Sequence, residues 1–172
     1  MDQKQKRIFI IKNIIYTVLL LICYILQETP SLLDFFGVRP ILVIAVIVGI
    51  AMTEGEFFGG VYGLFGGLLC DTAAFHFFGI ASVLFLILGC GCGLLIIHLV
   101  QPNSKTAFLL SGAFSLIYGV ISHYLIYGMW GYEGSSMLLI TRTVPTAVYT
   151  AAAGVLIHIM LTKLQKRFIA EE

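Results

Sequence analysis

The chain has 172 residues, 59% of them hydrophobic and 11% charged, with a formal net charge of +1 and a mean hydropathy of +1.01. Soluble domains average about 45–50% apolar and about 25% charged residues, so a soluble enzyme or a disordered chain is excluded: a globule of this size lacks the polar surface to cover so apolar a chain. The near-neutral balance also supplies no basic field for a nucleic acid, which leaves an integral membrane protein.

A helix needs about 20 apolar residues to cross about 30 Å of hydrocarbon. Apolar runs at 8–26, 40–52, 57–70, 79–100, 105–128 and 143–161 predict one all-α integral membrane domain over 1–172, a six-transmembrane-helix bundle. The first run follows a basic start but has no small-residue cleavage pattern at Gln27-Glu28-Thr29-Pro30, so it reads as an uncleaved anchor. The second and third runs are short and are separated by Thr53-Glu54-Gly55-Glu56. A re-entrant hairpin would bring both glutamates near the midplane, at about 2.5–3.5 kcal/mol each. Two thin crossings put them in water and are the expected arrangement. Pro40 and Pro145 stand where helices two and six are expected to begin, and Pro102 helps to end the fourth. Tyr124, Tyr127, Trp130 and Tyr132 suit an interfacial aromatic belt at the outer end of the fifth.

Six crossings put Lys4, Lys6, Arg7, Lys12, Lys105, Lys163, Lys166 and Arg167 on one side and only Arg39 and Arg142 on the other. By the positive-inside rule both termini are expected in the cytoplasm of a multi-pass protein of the bacterial cytoplasmic membrane.

The most ordered feature is a glycine ridge: Gly55, Gly59, Gly63 and Gly67 recur every four residues, flanked by Gly60 and Gly66. A stripe without Cβ atoms lets another helix approach closely. It serves either packing within the bundle or docking of a partner's helix. Gly89, Gly91 and Gly93, interleaved with Cys90 and Cys92, form a second small-residue face, and Ala147, Ala151 and Gly154 a third. Asp71 continues the ridge and is closely flanked by apolar sequence. An embedded carboxylate is a functional hypothesis by default; the simpler alternatives are pairing with Arg39 or Arg142, or capping the turn into the next helix. The histidines, His76, His98, His123 and His158, are scattered and the cysteines form no CxxC pair, so neither a metal site nor a cofactor is expected. No catalytic constellation is visible.

The run from Gly59 through Gly63, Gly66 and Gly67 to Asp71, followed by Gly79, resembles the MreD family of rod shape-determining membrane proteins. Arg142-Thr-Val-Pro145-Thr-Ala147-Val-Tyr149 looks like the proline-containing start of that family's last helix, with Thr150 where asparagine is often expected. The resemblance implies a non-enzymatic membrane scaffold of the bacterial cell-wall elongation (rod) complex. Its implied partners are the membrane helix of MreC and, through it, MreB and the RodA–transpeptidase synthase. It also implies a bundle similar to the substrate-binding subunits of energy-coupling-factor transporters, so a vitamin-binding transporter subunit is the alternative. That alternative lacks its expected alanine face on the first helix, since no alanine precedes Ala45.

Overall fold

A computed structural model describes residues 3–29, 38–73, 78–125 and 135–170. These described residues form six helices: α1 (Gln3–Glu28), α2 (Leu42–Glu54), α3 (Glu56–Ala73), α4 (Ile80–His98), α5 (Ser104–His123) and α6 (Ser135–Ala170). The closest associations are α3 with α4 and α5 with α6, and α2 touches every other helix. Successive helices alternate in direction. Lys12 and Tyr16 of α1 meet Glu54 at the end of α2, Gly59 of α3 faces Ala51 of α2, and Gly112 of α5 faces Ala151 of α6.

The centre of the bundle is α2. Every residue from Val43 to Met52 is buried. A helix that is apolar all round belongs in a core, and 13 residues cover only about 20 Å. Two packing layers meet on it. One joins Val43, Ile44, Ile47 and Val48 to Phe85 and Phe114; the other joins Ala45, Val46 and Ile50 to Tyr16, Leu20 and Leu161.

The six expected helices are present, but length and composition do not support a crossing by every one of them. Among the described residues four helices are long and apolar enough to span a membrane: α1, α4, α5 and the Thr141–Lys166 part of α6. The short α2 is enclosed by its neighbours, and glycines, Tyr62 and two carboxylates dilute the apolar character of α3. Two details of the expected pattern also change. Pro145 does not open the last helix but lies inside it, since α6 already begins at Ser135. A proline in a helix interior removes one ladder hydrogen bond, which membrane helices tolerate when neighbours pack around the site. Glu54, expected in water, is largely covered (side chain 13% exposed) and is neutralised by Lys12. Of the expected aromatic belt, Tyr124 is exposed, while Tyr127, Trp130 and Tyr132 lie outside the described residues.

Candidate functional site: glycine seam, helix caps and lateral grooves

The predicted ridge forms the seam between α3 and α4. A Cβ on Gly63 would run into the backbone of Phe85, and one on Gly67 into the backbone of Ala81 and Ser82. Gly59 is held between Ala51 of α2 and the Gly89 carbonyl of α4, each 2.6 Å from where a Cβ would stand. The seam is reciprocal. Gly89 lies against the Gly59 backbone and Gly93 against Glu56, so both helices lack side chains where they cross. Such an approach gains dispersion and weak Cα–H···O contacts that a leucine seam cannot reach. Gly66 faces the other way, onto Val43 and Ile47 of α2. Gly55 lies at the end of this surface, its carbonyl carbon 2.7 Å from where a Cβ on Gly93 would stand, and it has a second role. It forms the turn between α2 and α3 at φ +89°, a left-handed conformation that favours glycine. The third small-residue face packs on α5, where Gly154 meets Ser111 and Ala151 meets Gly112.

Asp71 ends this seam. The first N–H groups of a helix have no partner within it, and Gly79, the N-cap residue of α4, has no side chain to serve them. Asp71, 2% exposed, supplies the acceptors from α3. Its Oδ1 accepts from the Ala81 N–H at 3.1 Å and its Oδ2 from the Ser82 N–H at 3.0 Å, with the Ser82 hydroxyl donating to the same Oδ2. These are the N–H positions that an ordinary N-cap side chain serves, and a carboxylate there also complements the helix dipole. Of the alternatives open for this residue, the cap is the one formed. Arg142 is exposed on α6, one turn before Pro145, its carbonyl accepting from Thr146 at 2.8 Å.

The start of α2 is capped in the same non-local way. The Ile41 N–H donates to the Thr150 hydroxyl of α6 at 2.9 Å, and the Val43 N–H to Oε1 of Gln27 in α1 at 3.3 Å. Thr150 thus caps the start of α2 from α6. At the opposite end of the bundle, Lys12 Nζ lies 2.6 Å from Glu54 Oε1, and the Tyr16 hydroxyl donates to the same oxygen at 2.8 Å. Gln165 of α6 donates to the Thr53 carbonyl at 3.1 Å. Away from bulk water an unpaired backbone group or charge is costly, so at these helix ends side chains from other helices supply the partners. Sequence reasoning missed Gln27, Thr150 and the Lys12–Glu54 pair, because none of these partners is near in sequence.

Two grooves open sideways. A cavity of about 460 Å³ between α1 and α3 is lined by Leu20, Leu21, Phe58, Val61 and Phe65 with Asn13 and Thr17 toward one end. Another, of about 310 Å³, lies between α5 and α6.

Compared with known proteins, the chain matches the family model for the rod shape-determining protein MreD over residues 7–168. The chain belongs to the MreD family. No curated protein and no solved structure gives a significant match. The expected likeness to energy-coupling-factor substrate-binding subunits is therefore unsupported. MreD-family membership and the apolar helices together identify a membrane protein with a role in rod-shape determination.

Proposed function

We propose that this MreD-family chain is a non-enzymatic scaffold of the rod complex that binds the membrane helix of MreC and, through it, engages MreB and the RodA–transpeptidase synthase. The observation that carries the reading is the family match, which runs over nearly the whole chain, from residue 7 to 168. The polar side chains support it. Asp71, Gln27, Thr150 and Glu54 are engaged in capping and pairing between helices, which suits a rigid platform. Because α4 fills the Gly59–Gly63–Gly67 stripe, the partner helix belongs on another face of the bundle. Affinity purification of the tagged protein in mild detergent from its own host tests this: MreC should be recovered at near-stoichiometric level. Recovery of the intact protein without MreC, or with a transporter coupling subunit in its place, overturns the reading.

The same reading puts both termini in the cytoplasm, in agreement with the basic-residue distribution. The alternating helices bring Lys12, Glu54 and Gln165 to one end of the bundle and Gln27, Thr150 and Asp71 to the other, which suits that orientation. A reporter fused after Glu172 should act as cytoplasmic and one inserted at Gly134 as external. An external signal from the Glu172 fusion would make the proposed orientation wrong.

A further inference from the structure

At the end of the bundle that carries Lys12 and Glu54, the start of α5 and the last turns of α6 enclose a pocket of about 320 Å³. Its wall includes Asn103, Ser104, His158, Thr162, Lys163 and Lys166. Three features point to an anion. Lys163 and Lys166 are both exposed, and among the described residues no carboxylate lines the pocket beside them. Asn103 gives α5 no side-chain cap, so the first-turn N–H groups of a 20-residue helix are left without one, at the positive end of its dipole. His158 is 6% exposed, and its Nδ1 is buried with no hydrogen-bond partner. A buried polar atom that the protein leaves unsatisfied is uncommon and calls for a ligand or water.

The second groove of the same helix pair supplies the rest of the argument. It is lined by Phe108 and Gly112 of α5 and by Val148 and Ala151 of α6, and is apolar. Ser104, Phe108 and Gly112 follow at four-residue steps along α5, so the basic pocket and the apolar groove share one seam. Phe108 and Val148 are exposed on it, at 44% and 58%. A cationic pocket at one end of an apolar lateral groove has the polarity of a phospholipid, with its phosphate at the interface and its acyl chain along the hydrocarbon.

We propose that this seam is a binding site for an anionic phospholipid. The phosphodiester sits against Lys163, Lys166, His158 and the α5 N-terminus, and one acyl chain lies over Gly112 and Ala151. Basic pockets at the membrane surface are a known physical basis for anionic-lipid recognition, each lysine being worth about fivefold in affinity.

The test is native mass spectrometry of the full-length protein titrated with dioleoylphosphatidylglycerol and, separately, with dioleoylphosphatidylcholine. The anionic lipid should be retained at least tenfold better. The double variant Lys163→Gln, Lys166→Gln should erase most of that preference. Both residues are exposed, so the fold should survive, and unchanged phosphatidylcholine retention is the check. Lys6→Gln with Arg7→Gln removes the same charge from exposed positions that do not line the pocket and should leave the preference intact. Dihexanoylphosphatidylglycerol, with the same headgroup, should bind more weakly than the long-chain lipid. Equal retention of the two dioleoyl lipids overturns the site, and so does an equal loss in the Lys6, Arg7 variant, which would indicate a diffuse surface charge. Inorganic phosphate alone raising the melting temperature as much as dioleoylphosphatidylglycerol would identify a free-anion site and overturn the lipid assignment.

Discussion

Asp71→Ala should lower the stability of the purified protein by about 3 kcal/mol or more, a substantial share of a folding margin of about 5–15 kcal/mol. The substitution leaves the Ala81 and Ser82 N–H groups and the Ser82 hydroxyl without their acceptor, at a buried helix start. Loss of an N-cap alone costs about 0.5–2 kcal/mol in water-exposed helices. Here water cannot replace the lost carboxylate, so each orphaned group adds about 1–3 kcal/mol. Asp71→Asn keeps the shape and one carbonyl oxygen but loses the charge and one acceptor, and should cost about half as much. Thermal unfolding in detergent measures both, and limited proteolysis should show first cleavage near residue 79, where α4 comes loose. In cells, shape complementation by the two variants should follow their folded levels. An asparagine variant that folds normally yet fails to support rod shape would instead give Asp71 a direct chemical role and refute the purely capping account.

The parts of this molecule that the sequence made legible are those with a short-range pattern. Four-residue glycine spacing announces a helix surface meant for close approach, and Gly59, Gly63 and Gly67 do meet another backbone. The complementary spacing of Gly89 and Gly93 was equally visible, but periodicity alone does not say which two stripes face one another. Gly55 fits the same spacing for a second reason as well, its positive φ in the α2–α3 turn. The short length of α2 was readable, whereas its enclosure was not. Thr53-Glu54 looked like a water-facing turn because the charge that neutralises it sits in α1. Pro145 was read by the rule for water-soluble helices, where an interior proline is excluded; packed membrane helices relax that rule. The caps from Gln27, Thr150 and Asp71 join residues 16, 109 and 10 or 11 positions apart. Only Asp71 could be suspected in advance, because a lone acid in apolar sequence demands a partner.

Gly63→Leu and Gly91→Leu should have opposite outcomes although both glycines lie within apolar helices. At Gly63 even the first added carbon collides with the carbonyl group of Phe85 and stands only 3.1 Å from the Leu86 nitrogen. These are backbone atoms of a regular helix, which no rotamer change can move aside. The two helices must separate, and Gly59 and Gly67 lose their contacts with α4 at the same time. Overpacking by displaceable side chains costs about 1–3 kcal/mol; a backbone collision at the centre of a seam belongs at or beyond the upper end of that range. At Gly91 a Cβ meets nothing within 4 Å, so leucine adds a lipid-facing side chain and recovers up to about 1 kcal/mol of helix propensity. Fluorescence-detected size-exclusion chromatography of membrane extracts, heated in steps, separates the two cases. Gly63→Leu should give little monodisperse protein and an early loss on heating, and Gly91→Leu should match the parent. MreC recovery is the decisive second measurement. With the seam internal, recovery per folded molecule should be the same for Gly63→Leu as for the parent, so the loss of partner follows the loss of fold. If folded Gly63→Leu accumulates normally and MreC alone is lost, the stripe is a docking face, and the internal seam is not what makes these glycines necessary.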